Sequence, residues 1–204
     1  MKTIICFGDS ITAGRSVPEN SRWTSILQSA LAQRPGPGWD VYTRGVPGDT
    51  IKQGLERFDK EVEGRLPAWV LIEFGLNDCS YQPNRQIPRT GLAEFGAVLN
   101  ELIRLVRSGG GRPVLLTNHC VRQDRIDESS QRLVMDNLRP YQAAIREAAS
   151  STDVPLIDVE AGFASRADAS SGLAADGIHL SLEGHVLYAE LVLEGLTPIL
   201  DSAA

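Results

Sequence analysis

Lys2-Thr3-Ile4-Ile5-Cys6-Phe7-Gly8-Asp9-Ser10-Ile11-Thr12-Ala13-Gly14 is the stretch on which the reading of this chain turns. A short apolar run that breaks at a glycine reads as a buried parallel strand, and open α/β sheets place ligands at the carboxyl ends of such strands. Ser10 therefore sits where chemistry is expected. A serine hydroxyl is a poor nucleophile until a base takes its proton and a third group holds that base, so a partner has to be found elsewhere. The chain has three histidines, His119, His179 and His185. Only His179 has an orienting carboxylate in its local pattern, Asp176-Gly177-Ile178-His179.

After Gly14, the polar loop Arg15–Asn20 leads to Ser21, read as the N-cap of a helix running to about Arg34 and stopped by Pro35-Gly36-Pro37-Gly38. Trp39–Thr43 is a second strand, and Arg44-Gly45-Val46-Pro47-Gly48-Asp49-Thr50 turns it into an amphipathic helix over about Thr50–Glu63. Pro67–Phe74 is the most apolar strand, ending in Gly75-Leu76-Asn77-Asp78-Cys79, and the polar segment Ser80–Thr90 is long enough to line or cover a site. A helix over about Leu92–Arg107, a strand over Pro113–Thr117 and the charged loop Asp124–Ser130 follow. The chain then gives a helix over about Gln131–Ala149 that contains Pro140, and a fifth strand over Val154–Val159. A short helix over Glu160–Asp168, a small-residue loop over Ala169–Ala175 and a closing helix over Leu182–Leu200 complete it. Five strands alternating with helices predict a parallel sheet covered on both faces, a three-layer α/β/α arrangement.

The length of 204 residues and 42% apolar content suit a single domain, taken as 1–204, with a core that needs no disulfide or metal staple. Cys6, Cys79 and Cys120 are odd in number and lack metal-site spacing, which suggests reduced thiols. No signal peptide or membrane-length apolar run is visible, so the expectation is a cytoplasmic protein without a transmembrane segment. A net charge of −6 argues against sequence-independent nucleic-acid binding. Oligomeric state is not written in these features.

Gly8-Asp9-Ser10-Ile11-Thr12, Gly48, Gly75-Leu76-Asn77-Asp78 and Asp176-Gly177-Ile178-His179 occur in that order, each at an expected loop. Over essentially its full length the chain resembles the SGNH hydrolases, also called the GDSL esterase and lipase family, in which such blocks appear in this order. The resemblance implies a five-stranded, flavodoxin-like parallel sheet. It also implies Ser10 as nucleophile, His179 as general base and acid, and Asp176 as the carboxylate that orients His179. The oxyanion hole carries over to the backbone N–H groups of Ser10 and Gly48 and the side-chain amide of Asn77. These roles suit the chemistry, since neutral imidazole takes the hydroxyl proton and the tetrahedral intermediate puts negative charge on the former carbonyl oxygen. Glycine at 48 also lets substrate approach the backbone closely. Two departures stand out: Arg44 and Pro47 flank Gly48 where the family often has asparagine and a small or hydroxyl residue, and Asn118-His119-Cys120 stands where it often has proline.

The implied activity is hydrolysis of a small-molecule carboxylic ester, short-chain or acetyl, through an acyl-enzyme, with no cofactor and no metal. Acyl transfer, thioester hydrolysis and carbohydrate deacetylation use the same site and stay open. A metallophosphoesterase would draw on Asp9, Asn77, Asp78, Asn118, His119, Asp176 and His179, but no His-x-His or Asp-x-His pair occurs. A catalytically dead binding module on the same fold is the third class. Gly8-Asp9-Ser10-Ile11-Thr12 lacks the second glycine of a Gly-x-Ser-x-Gly elbow, which disfavours an α/β-hydrolase fold. Asp9 and Asp78 read as loop-holding acceptors, His119 as a structural histidine, His185 as packing and Cys79 as filler, with Tyr81, Gln82, Pro83 and Asn84 on a possible substrate loop.

Overall fold

A computed structural model of the chain describes residues 2–36, 38–166 and 171–202. Pro37, the Ala167–Asp168 end of the expected short helix and the Ala169–Ser170 start of the expected small-residue loop lie outside the described residues. Strand β1 (Lys2–Gly8) pairs in parallel with β2 (Trp39–Gly45) on one side and β3 (Trp69–Glu73) on the other. Next come β4 (Arg112–Leu116) and, skipping the short β5 (Ile126–Asp127) and β6 (Arg132–Leu133), the edge strand β7 (Leu156–Ile157). The order β2-β1-β3-β4-β7 makes a parallel five-stranded sheet of flavodoxin-like order, as expected. The interior strand β1 is apolar on both faces, Ile4, Ile5, Cys6 and Phe7 being wholly buried, because helices cover both sides of a parallel sheet.

Between β1 and β2 lie the four-residue α1 (Ser10–Ala13) and α2 (Trp23–Ala32). After β2 come α3 (Ile51–Glu56) and α4 (Phe58–Glu61), after β3 comes α5 (Leu92–Ser108), and α6 (Val134–Thr152) precedes β7. Helices α7 (Val159–Ala164) and α8 (Leu182–Ser202) close the chain. α2 and α7 pack on α8, while α5 packs on α3 and α6. These two groups are the outer layers of the sandwich.

The differences from expectation lie at element ends. Ser21 does not cap α2; it belongs to a 3-10 turn, and the first helical N–H, that of Trp23, donates instead to His185 Nδ1 at 3.2 Å. The helix expected over Thr50–Glu63 starts on a Thr50/Gln53 capping box and breaks at Arg57. There the guanidinium turns back to donate to Gly8 O at 2.8 Å and Arg44 O at 3.0 Å, and it pairs with Asp49 at 2.7 Å. The same group lies over the Phe7 ring, 4.4 Å from its centroid, and so holds the tip of β1. The loop expected over Asp124–Ser130 contains β5, one arm of an antiparallel hairpin with β6, which pushes the start of α6 back to Val134. The fifth strand is only two residues long, at the sheet edge after Pro155.

Candidate active site

Sheet order sets the site. Parallel strands bring the loops after β1, β2 and β3 to one edge, and the register places Gly8 beside Gly45 and Glu73. Asp9 caps α1, its Oδ1 accepting from Ile11 N at 2.9 Å, so Ser10 opens the first turn at the tip of β1. A Cβ at residue 8 would stand 2.3 Å from Thr12 Oγ1 and 2.5 Å from Glu73 O, so only glycine lets α1 fold this tightly over the strand end.

The last loop delivers the histidine. Asp176 Oδ1 accepts from the N–H groups of Ile178 and His179, both at 2.9 Å, and this turn aims the imidazole inward. His179 Nδ1 lies 2.6 Å from Asp176 Oδ2, and His179 Nε2 lies 3.0 Å from Ser10 Oγ. Burial raises the Asp176 pKa, but the hydrogen bonds from the His179 ring and the two N–H groups outweigh it and hold the carboxyl down at about 2. An ionised carboxylate only accepts, so Nδ1 carries the proton and Nε2 is left to accept from the serine hydroxyl.

The loop has a buried support. His119 Nε2 donates to Ile178 O at 2.7 Å, and burial pushes its pKa down to about 4, keeping the ring neutral. It therefore has the structural character expected of it, beneath the loop that carries His179. His185 is likewise buried and pushed down to about 4, but its role is to cap α2.

Asn77 follows β3 and lines the same cavity as Ser10 and His179. Its Nδ2 donates to Asp9 Oδ2 at 2.9 Å. Gly48 has φ +83, a left-handed conformation that favours glycine, while a Cβ there would meet nothing within 4 Å. Backbone conformation, not crowding from the protein itself, is what calls for glycine at 48. Gly48 is not among the residues lining the cavity, but Val46 N donates to Gly8 O at 3.1 Å and so fastens its loop to the end of β1. Asp78 accepts from Ile51 N at 3.0 Å, the loop-holding part expected of it, and burial raises its pKa to about 6.

Beneath Ser10 lies Glu73, a buried residue that the sequence reading passed over. It accepts from Thr12 Oγ1 at 3.0 Å and from Asn118 Nδ2 at 2.5 Å, and it shares a hydrogen bond with the Asp9 carboxyl. Burial raises the pKa of both acids, so this contacting pair retains a proton. The cavity of about 400 Å³ is also lined by Leu76, Ser80, Tyr81, Val134 and Ile178 and by Arg125 to Ser129, which include β5 and the start of the turn after it. Ile126 and Leu133, flanking a run of turn-forming residues, were the hairpin's available signal. Cys79 is buried and its thiol donates to Leu76 O, consistent with filler. Among the described residues no group of three or more His, Cys, Asp or Glu side chains is placed to hold a metal ion.

Residues 6–187 match the GDSL-like lipase/acylhydrolase family. The chain is 26% identical to an acetylxylan esterase of Geobacillus stearothermophilus, over 93% of this chain and 91% of that protein. It is 24% identical to thioesterase 1/protease 1/lysophospholipase L1 of Escherichia coli K12, over 98% of this chain and 85% of that one. The crystal structure of a lipase/acylhydrolase from Enterococcus faecalis superposes with a TM-score of 0.82 at 27% identity, covering 97% of this chain and 96% of that one.

Proposed function

This chain belongs to the GDSL-like lipase/acylhydrolase family and is a carboxylic ester hydrolase; from that premise we propose that Ser10, His179 and Asp176 form its catalytic triad. The observation that carries the reading is the unbroken relay from Ser10 Oγ to His179 Nε2 at 3.0 Å and from His179 Nδ1 to Asp176 Oδ2 at 2.6 Å. Ser10 Oγ attacks the acyl carbon as its proton passes to Nε2, giving a tetrahedral intermediate and an imidazolium beside the Asp176 carboxylate. The N–H groups of Ser10 and Gly48 and the free Nδ2–H of Asn77 take the oxyanion. Collapse breaks the C–O bond, the departing alkoxide takes the proton from Nε2, and the acyl group stays on Ser10. Water, deprotonated by the same nitrogen, then releases the acid and restores the serine.

The substrate we favour is a short acyl ester, acetyl foremost, of a polar alcohol. A cavity of about 400 Å³ whose lining includes Ser80, Tyr81, Arg125, Asp127, Glu128 and Ser129 suits a small acyl group and a polar leaving group. Acyl transfer, thioester cleavage and sugar deacetylation remain alternatives on the same triad. No nucleic-acid partner is proposed. Cys6, Cys79 and Cys120 are free thiols, which supports a reducing, cytoplasmic setting, and no described helix is long and apolar enough to cross a membrane.

Hydrolysis rates over acyl chains of increasing length, acetylated sugars and acyl thioesters test the substrate class. Short acyl esters should give the highest kcat/KM, and a maximum at long acyl chains would contradict the reading. Ser10→Ala should abolish turnover of every ester in the panel while leaving the circular dichroism spectrum unchanged.

A further inference from the structure

Arg89 lies between β3 and α5, and its guanidinium reaches two loops that the fold brings together from distant parts of the chain. Nη1 donates to Asn77 Oδ1 at 3.3 Å, and Nη2 donates to Gly48 O at 2.8 Å. A longer contact of 3.4 Å runs from Nη2 to Gln53 Oε1, the acceptor of the α3 capping box. The backbone of Arg89 is itself clipped to the segment carrying Asn77, since Arg89 N donates to Ser80 O at 2.8 Å and Thr90 N to Asp78 O at 3.2 Å. The side chain is thus held at its base and forked at its tip.

What the fork does follows from the chemistry of a carboxamide. Asn77 can serve an oxyanion only if its NH₂ end faces the cavity, and a carboxamide can rotate to exchange its two ends. Asp9 Oδ2 meets the Nδ2 end at 2.9 Å. Asp9 shares a hydrogen bond with Glu73, and a carboxyl in such a pair can either give or accept a proton. Asp9 is therefore an ambiguous partner. A guanidinium is not: it has donors and no acceptor, so it tolerates only Oδ1 at its tip. With Oδ1 held there and one Nδ2–H turned to Asp9, the second Nδ2–H is the one left for substrate. The Nη2 bond to Gly48 O fixes the other loop against the same group.

We infer that Arg89 is a positioning residue, which sets the orientation of the Asn77 amide and ties it to the Gly48 loop so that both donors bear on one oxyanion. This rests on the oxyanion role proposed for Asn77. Arg89 acts through Asn77, and its loss matters in the transition state, where the charge develops, more than in ground-state binding.

The test is a double-mutant cycle in the full-length protein, using Arg89→Ala, Asn77→Ala and their combination, with kcat and KM measured on a short ester and circular dichroism on each variant. Arg89→Ala should lower kcat on the order of tenfold or more, a part of what loss of an oxyanion donor costs, with KM within about twofold. In the Asn77→Ala background the same substitution should cost clearly less, since only the tie to the Gly48 loop remains to be lost. Arg89→Lys should recover only part of the rate, because a single ammonium cannot span both acceptors. An unchanged kcat for Arg89→Ala, or an equal loss in both backgrounds, would overturn the inference while leaving the Asn77 assignment standing. A near-wild-type kcat for Asn77→Ala would remove the assignment and the inference together. If Arg89→Ala does not fold, Arg89→Gln takes its place in the cycle and is held to the same outcomes.

Discussion

In the proposed site, Asn77 is the residue that would separate a centre built for ester chemistry from a serine and histidine that merely touch. Removing a single oxyanion donor costs on the order of a hundred- to a thousandfold in kcat, about 3–4 kcal/mol, and Asn77→Ala is expected in that range with KM little changed. Asn77→Asp should do at least as badly, since it sets a carboxylate against the developing charge and beside the buried Asp9. Steady-state kinetics decide it, and a near-wild-type kcat for Asn77→Asp would remove Asn77 from the oxyanion hole. The residues proposed for the reaction were legible because each stands in a short local pattern: a serine after a strand end, and an aspartate three residues before a histidine. Their supports were not legible. Glu73 reads only as the end of an apolar strand, and Arg89 meets Gly48 from 41 residues away, a contact that no local pattern announces.

Arg57 shows how a side chain sets the shape of an element. Its guanidinium closes β1, β2 and the break between α3 and α4 with bonds to Gly8 O, Arg44 O and Asp49, and both charged groups of the pair are largely buried. Arg57→Ala leaves Asp49 unpaired, and stability from urea unfolding should drop by about 3 kcal/mol. Arg57→Lys should restore little of it, because a point charge cannot fill three divergent acceptors. A loss below about 1 kcal/mol for Arg57→Ala would show that Phe7 and Phe58, edge to face at 6.2 Å, hold the strand tip without help. The alternation of strands and helices was readable because buried parallel strands are continuous apolar runs and the intervening helices keep a helical period, while the flavodoxin-like order of the sheet was implied by the family resemblance. Ends were harder. The α2 cap comes from His185, 162 residues further along, and β7 pairs with β4 only over Leu156–Ile157.

For the whole molecule, we propose that 1–204 unfolds as one cooperative unit, with a single calorimetric transition. Its dependence on pH follows from groups buried in unusual states. Asp9, Glu73 and Asp78 have raised pKa values, chiefly through burial, so the folded state binds protons that the unfolded chain has lost above about pH 4. Their contribution is present in full below that pH and is lost as pH rises, through about 6 for Asp78. His119 and His185, depressed to about 4 by burial, act in the opposite sense and lose stability as pH falls from about 6.5 toward 4. Glu73→Gln keeps the shape and removes one titration, so its stability relative to wild type should climb as pH rises from 4 to 7; a flat difference would show that Glu73 is ionised throughout. Ser10 is the proposed nucleophile, the residue that becomes acylated. Reaction with an organophosphonate, followed by mass spectrometry of peptides, measures this directly. One adduct is expected, on Ser10, lost in Ser10→Ala and formed much more slowly in a folded His179→Ala protein. An adduct on any other residue, or labelling that persists in Ser10→Ala, would contradict it.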